Sequence, residues 1–221
     1  MFDLLPVAPD QAFVCSKKGF NAFVLCALLW FVMGGLLLLV WGNMPVFRWV
    51  HTHHHHLTDL FFRFYTITGT AALIIPVLLL LFWFRHRNRY FLLLVICTQV
   101  GSLLVNQAMK FGFAHARPVA VYGEEHWFHY IAGETLHRTN SFPSGHTAGA
   151  FAFVFLLSLL VRQQVVMKVI LLFLAALLVA YSRMYLGQHF FTDIYVGSIE
   201  GIVVCIAVLF AFRKAGYCRL A

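Results

Sequence analysis

The sequence PSGHTAGAFAFVFLLSLL, residues 143–160, combines the two patterns that decide the fold of this chain. Its first four residues are suited to the start of a helix, and the rest is an almost uninterrupted apolar run. The run predicts a helix over 145–162, and the unpaired N–H groups of its first turn suit an anion. Gly145 permits close approach of the backbone, and Ser144 can cap the helix or donate to the anion. Considered alone, an ordinary helix start is the simpler interpretation.

The rest of the chain is similarly apolar. Hydrophobic residues make up 62% of the 221 residues and charged residues only 11%, whereas an ordinary soluble domain has roughly 25% charged residues. This composition predicts an all-α, polytopic membrane protein in which residues 1–221 form a single domain. The net charge of +8 does not indicate nucleic-acid binding, because the cations lie at the ends of apolar runs, where they set topology.

Six apolar runs have a length suited to crossing a membrane, which takes about 20 mostly apolar residues. They cover residues 21–42, 62–84, 90–110, 145–162, 165–182 and 191–212. The first run is long for the core of a signal peptide and lacks a clear small-x-small cleavage site, so we expect it to be retained. The chain therefore predicts a bundle of six transmembrane helices.

The Lys and Arg residues predict how this bundle is oriented. With the N-terminus inside, the inner side carries ten of the sixteen: Lys17, Lys18, Arg85, Arg87, Arg89, Arg162, Lys168, Arg213, Lys214 and Arg219. The outer side carries Arg48, Lys110, Arg117, Arg138 and Arg183, and Arg63 lies near or within the second run. This bias places both chain ends in the cytoplasm. The short loops favour a bacterial inner membrane, which makes the outer side periplasmic.

Three polar islands fall on that outer side, at the ends of four predicted helices. They are Lys110 with Arg117-Pro118, then Pro143-Ser144-Gly145-His146, then Ser182-Arg183 with His189 and Asp193. His189 and Asp193 are four positions apart at a helix start and so share one face. A carboxylate bonded to one imidazole nitrogen fixes the tautomer and leaves the other nitrogen able to attack. A helix-capping pair with no catalytic role is the alternative.

The cations of the islands also favour an anion site. Lys110, Arg117 and Arg183 would be costly at a membrane boundary without an anion between them. The planar guanidinium of arginine matches phosphate oxygens, and lysine adds a point charge. Each cation taken singly could instead extend to lipid headgroups. Their convergence at one membrane level, beside two histidines, favours the phosphate-binding interpretation.

Together the islands resemble the three-part signature of the type-2 phosphatidic acid phosphatases. The matching residues are Lys110-x6-Arg117-Pro118, Pro143-Ser144-Gly145-His146 and Ser182-Arg183-x5-His189-x3-Asp193. Their spacing, order and placement agree with the family at every signature position. The direct match covers residues 110–193, and the six-helix layout extends it over nearly the whole chain.

This resemblance implies a lipid phosphatase with its active site at the outer membrane boundary. His189 would form a phosphohistidine, Asp193 would orient it, and His146 would protonate the departing oxygen and then activate water. The phosphate would be bound by Lys110, Arg117, Ser144, Gly145 and Arg183. The resemblance implies no metal and no other cofactor. The single carboxylate of the islands agrees, since divalent metal sites for phosphoryl chemistry usually gather several.

The resemblance leaves several substrates and two other functions open. Undecaprenyl pyrophosphate, phosphatidylglycerol phosphate, phosphatidate and the phosphates of lipid A are the substrates it implies, each with its tail in the bilayer. A lipid phosphotransferase using the same site is one alternative, and a non-enzymatic lipid or anion transporter is another. The vanadium haloperoxidases share the signature, but they are soluble, and six apolar runs argue against them.

Four further features lie outside the signature residues, and three of them have two interpretations each. The histidines His51 and His53–His56 suit a transition metal or, as we favour, a loop at the lipid headgroups. The loop 119–142 either shapes the headgroup entrance or anchors at the interface. Asp59 and Arg63 are four positions apart and predict an ion pair. Glu200, between Gly197 and Gly201, is a functional candidate, but the glycines favour close packing with Glu200 bonded to a neighbouring helix.

Overall fold

The computed structural model describes residues 12–83 and 88–221, so Arg85 and Arg87, two cations assigned to the inner side, lie outside the described residues. Nine α-helices are found in the part that is described: α1 (Lys17–Val40), α2 (Asn43–Thr52), α3 (His56–Tyr65), α4 (Ala71–Leu81), α5 (Arg89–Phe113), α6 (Pro118–Tyr122), α7 (Gly145–Leu160), α8 (Val165–Tyr185) and α9 (Phe191–Lys214). A 3₁₀ turn, Thr66–Gly69, separates α3 from α4. The all-α prediction needs one correction, because strands β1 (Phe13–Cys15) and β2 (Cys218–Leu220) pair in parallel.

The helices make the chain a multi-pass membrane protein. Four of the described helices, α1, α5, α8 and α9, have the length and apolar composition to cross a membrane, and α3 with α4 would form a fifth, broken span. Large apolar side chains such as Leu39 and Phe111 are exposed, as a lipid-facing surface requires. Helix α7 has 16 residues, about 24 Å, against a hydrocarbon core of about 30 Å. The six-span count therefore stays a prediction.

The second apolar run differs most from its expected form. Instead of one helix over 62–84, α3 and α4 meet at an angle of 52°. The hydroxyl of Thr68 donates to the carbonyl of Tyr65 at 2.7 Å, and that of Thr70 donates to the carbonyl of Ile67 at 2.6 Å. Threonine hydroxyls that bond nearby carbonyls compete with regular helical geometry. These local bonds accompany the turn that breaks the span.

Helix α7 lies against α9 at unusually short range, and two glycines of α9 make this possible. A Cβ at Gly197 would lie 2.6 Å from the carbonyl oxygen of Ser144, and one at Gly201 would lie 2.4 Å from that of Ala148. Neither position therefore accepts a larger residue without the helices moving apart. The contact sets the start of α7 beside the start of α9, where the backbone N–H of Ser144 donates to the Asp193 carbonyl at 3.0 Å.

Glu200 lies on a neighbouring face of this part of α9, toward α5. Its carboxylate accepts hydrogen bonds from the hydroxyl of Ser102 at 2.9 Å and from the amide of Asn106 at 3.2 Å. All three side chains are buried. The favoured interpretation of Glu200, a bond to a neighbouring helix, therefore agrees with the structure. Glu200 ties α5 to the helix that carries Asp193.

Candidate active site

His189 and Asp193 lie at the centre of the polar end of the bundle. His189 lies in the short connection between α8 and α9, where its N–H donates to the carbonyl of Arg183 at 3.2 Å. Its Nδ1 is 3.5 Å from Oδ2 of Asp193. That separation exceeds an ordinary hydrogen bond, and Nδ1 has no other partner among the described residues. The structure thus brings the predicted pair together, with a gap that a small rotation of the imidazole would close.

The surroundings of His189 hold its ring in the neutral form. Its side chain is 2% exposed, and this burial lowers the pKa of His189 to about 4, although the neighbouring Asp193 acts in the opposite direction. A neutral imidazole retains a lone pair for attack, which a protonated ring lacks. At neutral pH His189 therefore has the protonation state that a nucleophile needs.

Asp193 is fixed by a residue that the sequence did not single out. Its Oδ2 accepts a 2.5 Å hydrogen bond from the hydroxyl of Ser141 and a 2.9 Å bond from the N–H of Phe190. Ser141 is fully buried, just before the second island. No pattern in the sequence marked Ser141, because its contact with Asp193 exists only after α7 and α9 pack together.

The first turn of α7 supplies the second island. Ser144 occupies the N-cap position, but its hydroxyl caps no N–H group of the first turn and instead accepts a 3.0 Å bond from Thr147. Gly145 faces Lys110 and Asn106, and a Cβ there would lie 3.2 Å from Asn106 Oδ1. The glycine thus leaves room for Lys110 to approach the start of the helix, as its predicted role requires.

The two arginines of the islands are oriented by neighbouring groups. Arg117 donates from Nε to the Thr139 carbonyl at 2.9 Å and from Nη1 to Oε1 of Gln188 at 3.0 Å. Arg183 donates from Nη1 to the hydroxyl of Thr66 at 2.7 Å. Both arginine side chains are buried. Charged donors held in place in this way can meet an anion without first reorganising.

Six of the eight predicted site residues line one polar cavity of about 520 Å³: Lys110, Arg117, Gly145, His146, Arg183 and His189. The other two, Ser144 and Asp193, lie behind this wall and contact its members. The 119–142 loop adds Glu134, Thr135 and His137, α3 adds Arg63, and Gln188 adds an amide. Gln188 links the 119–142 loop to the rest of the cavity, because its Nε2 donates to Glu134 Oε1 and to the Thr135 carbonyl, both at 2.8 Å.

A second, mostly apolar groove of about 330 Å³ opens beside the polar cavity, between α4, α5 and α7. Its walls include Ile74, Val100 and Leu103. Four residues line both spaces: Thr70, Lys110, Gly145 and His146. A molecule with a charged head and an apolar tail can therefore occupy both at once.

The histidine-rich segment behaves as two separate parts. His51 is a buried structural residue whose Nδ1 donates to the Tyr185 carbonyl at 2.9 Å and whose Nε2 accepts from the His129 N–H at 3.1 Å. Burial lowers the pKa of His51 to about 4. His54 stacks on the ring of His129 with 3.6 Å between centroids, and His53, His55 and His56 are exposed. Within residues 12–83 and 88–221 no group of three or more His, Cys, Asp or Glu is arranged as a metal site.

The predicted ion pair between Asp59 and Arg63 is wrong. Asp59 instead accepts a 2.5 Å bond from the hydroxyl of Tyr185 and lies 3.0 Å from Nε2 of His129. Arg63 donates to the carbonyl of Ala132 at 3.2 Å. The partners of both side chains therefore lie on the 119–142 loop or on α8. The four-residue spacing of Asp59 and Arg63 does not reveal them.

The fold and the site define a helical membrane protein with a polar cavity that the three island cations and a buried neutral histidine line. The model of the PAP2 superfamily matches residues 90–217, more than half of the chain, and the chain belongs to this family of lipid phosphatases. The resemblance found in the three islands is thereby confirmed.

Two curated relatives and two solved structures extend the comparison. The chain is 28% identical to undecaprenyl-diphosphatase BcrC of Bacillus subtilis (strain 168) over 176 residues, covering 78% of this chain and 83% of the relative. It is 27% identical to the putative undecaprenyl-diphosphatase YbjG of Escherichia coli (strain K12) over 146 residues, covering 65% and 69%. The structure of Aquifex aeolicus LpxE matches with a TM-score of 0.65 and 30% identity, covering 76% and 94%. A PAP2-type phosphatidylglycerolphosphate phosphatase from Bacillus subtilis shares the fold, with a TM-score of 0.62 and 21% identity, covering 87% and 96%.

Proposed function

We propose that the protein hydrolyses a lipid phosphate or diphosphate through a phosphohistidine formed on His189. The observation that carries the proposal is the joint geometry of the two spaces. A neutral histidine and four cations, Arg63 and the three of the islands, line the polar cavity, and the apolar groove shares Lys110, Gly145 and His146 with it. Such a site accepts the head of a lipid phosphate while its tail stays in an apolar environment.

The proposed reaction has two steps. In the first, Nε2 of His189 attacks phosphorus, and the bond to the lipid or phosphate leaving oxygen breaks. His146, protonated when the anionic head of the lipid binds, donates its proton to that oxygen. In the second, His146 takes a proton from water, water oxygen attacks the phosphohistidine, and the P–N bond breaks to release phosphate. Asp193 orients His189 throughout and stabilises the charge that its ring gains.

The remaining predicted residues would stabilise the charge on the transferred phosphoryl group. Arg117 and Arg183 hold guanidinium groups against the cavity, and Lys110 approaches from α5. Gly145 allows the first turn of α7 to come close, and Ser144 completes that turn. We propose that these groups act without a divalent metal, because three cations supply the positive charge that a metal would otherwise supply to phosphoryl transfer.

Among substrate classes we favour a polyprenyl diphosphate, with undecaprenyl diphosphate as the first candidate. Two relatives carry that substrate in their names, and each aligns with about two thirds or more of this chain. Four cations in one cavity, Arg63 together with the three of the islands, also suit the higher charge of a diphosphate. Phosphatidylglycerol phosphate, phosphatidate and the phosphates of lipid A are the other candidates for the same site.

We also propose the membrane arrangement that this function needs. The six apolar runs would act as six spans of a single domain, with both chain ends in the cytoplasm of a bacterium. The polar cavity would then open at the periplasmic boundary of the inner membrane. The positive-inside distribution of Lys and Arg supports this orientation. Cysteine labelling of exposed positions in Arg162–Lys168 and in the 123–142 loop would test it.

The test is a panel of phosphate-release assays on the purified protein in the presence of a chelator. We expect release from undecaprenyl diphosphate to exceed release from the other lipid phosphates. Phosphate transfer to an added acceptor lipid, in place of release, would favour the phosphotransferase. Rapid denaturation in alkali should trap a labelled phosphohistidine on the wild type, because this bond survives alkali and breaks in acid.

The matched pair His189→Ala and His126→Ala makes the test specific. His126 is an exposed outer-loop histidine away from the cavity, so its loss should leave turnover unchanged. His189→Ala should abolish both turnover and the trapped label, while lipid binding survives. Undiminished phosphate release by His189→Ala would refute the mechanism, and lipid transport that does not depend on His189 would favour the transporter.

A further inference from the structure

The guanidinium of Arg183 has a partner that belongs to none of the three islands. Its Nη1 donates to the hydroxyl of Thr66 at 2.7 Å, and both side chains are buried. Nε of Arg183 is also buried but has no hydrogen-bond partner among the described residues. Arg183 and Thr66 both line the polar cavity, together with His146. Thr66 therefore holds one edge of the guanidinium, and Nε remains as a second donor that suits a phosphate oxygen.

Thr66 reaches Arg183 because the second apolar segment breaks there. It is the first residue of the 3₁₀ turn Thr66–Gly69 between α3 and α4. At the other end of the turn, a Cβ on Gly69 would lie 2.6 Å from Cγ1 of Val179 and 2.9 Å from the carbonyl of His146. Only a glycine lets the turn pack this closely against α7 and α8. The break thus carries a hydroxyl to the phosphate site from a segment outside the signature.

We propose that Thr66 is a positioning residue of the phosphate site, which fixes the guanidinium of Arg183 before the substrate binds. The inference rests on the proposed function, in which Arg183 stabilises the transferred phosphoryl group. Without the hydroxyl, the buried Nη1 would lose its acceptor, and the guanidinium would turn toward another oxygen. Part of its stabilising effect on the transition state would then be lost, because fixed donors are effective only where charge develops.

The size of the effect follows from what Thr66→Val changes. Valine has nearly the shape of threonine and removes only the acceptor, so the fold keeps its packing. Removing a transition-state donor outright typically costs about 10²–10³ in kcat. A donor that is displaced rather than removed should cost less, and we expect kcat to fall roughly tenfold with a smaller change in KM.

The experiment compares Thr66→Val, Thr66→Ser and Thr68→Val in the full-length membrane protein. Serine keeps the hydroxyl and should restore most of the lost kcat. Thr68 lies in the same turn, but its hydroxyl donates to the Tyr65 carbonyl and the residue does not line the cavity. Thr68→Val should therefore behave as the wild type. Protection against thermal unfolding by orthovanadate, a mimic of the phosphoryl transition state, reports on the same contact without turnover.

We expect Thr66→Val to weaken orthovanadate binding by the factor lost in kcat, and to add nothing further in an Arg183→Ala background. Additive losses in the double variant, wild-type vanadate binding by Thr66→Val, or equal loss in Thr68→Val would overturn the inference. A wild type that binds vanadate but releases no phosphate would instead refute the proposed hydrolysis, and the vanadate comparison would still test Thr66.

Discussion

Replacing Gly197 with alanine tests whether the contact between α7 and α9 sets the geometry of the active site. The new Cβ would lie 2.6 Å from the Ser144 carbonyl oxygen, and ordinary contact begins at 3.4 Å, so the helices must separate by about 0.8 Å. The bond from the Ser144 N–H to the Asp193 carbonyl, now 3.0 Å, would lengthen beyond hydrogen-bond range. Gly145 and His146, which follow Ser144, would move away from His189 by a similar distance.

Two magnitudes follow from this displacement. Overpacking of a tight contact costs about 1–3 kcal/mol of stability. A misplacement of reacting groups near 1 Å can lower the rate by about 10²-fold. We therefore expect kcat/KM of Gly197→Ala to fall by about 10- to 100-fold, with a smaller fractional effect on the amount of folded protein.

The assay is phosphate release by purified variants at matched folded concentration, together with thermal unfolding in detergent. Gly112→Ala is the matched control, because a Cβ at Gly112 on α5 meets no atom within 4 Å. That exchange should leave turnover unchanged and stabilise the helix by about 0.5–1 kcal/mol. Wild-type kcat/KM in Gly197→Ala would show that α7 and α9 can separate without disturbing the site, and would refute the reasoning.

Two further predictions concern buried ionisable groups. Because the pKa of His189 is lowered to about 4, its ring stays neutral and nucleophilic above that pH. We expect kcat/KM to hold down to about pH 5 and to fall as pH passes below 4. An acid limb near pH 6.5 that persists with a substrate lacking an ionisation of its own in that range would contradict this. Glu200→Ala removes the acceptor of both Ser102 and Asn106. It should lower the free energy of unfolding by about 1–3 kcal/mol, measured by thermal unfolding. Glu200→Gln retains an acceptor for Ser102 and should lower it by less in the same experiment.

The sequence predicted which residues form the site better than it predicted which residues hold them in place. Polar islands at the ends of apolar runs indicated which residues would meet, and six of the eight line one cavity. The hydropathy pattern was enough for this prediction, because the ends of each apolar run indicate where the ends of its helix lie. Glu200 was also interpretable locally, since flanking glycines indicate close packing.

Residues whose partners are distant in sequence were not predictable in this way. Asp59 and Arg63 have the spacing of an ion pair, but in the folded chain Asp59 accepts a hydrogen bond from the Tyr185 hydroxyl, 126 positions away. Hydropathy likewise averages over the Thr66–Gly69 turn and predicts one straight helix. The turn places Gly69 against α7 and α8, and this packing exists only in the folded chain. Ser141 and Gln188 were missed for the same reason.

The way each wall of the cavity is held indicates where substrate selectivity should arise. The helix ends are fixed by backbone bonds, such as that from Ser144 to Asp193 and that from His189 to Arg183. Exchanges that keep the close packing of α7 on α9 leave such bonds intact, so these backbone bonds hold the helix-end wall of the cavity in place. The 119–142 loop is instead linked to the other walls of the cavity through the side chains of Gln188 and Glu134, which a single exchange can alter. Since the proposed function places the phosphoryl group that all candidate lipids share against the helix ends, we expect discrimination among them to depend on the 119–142 loop and the apolar groove.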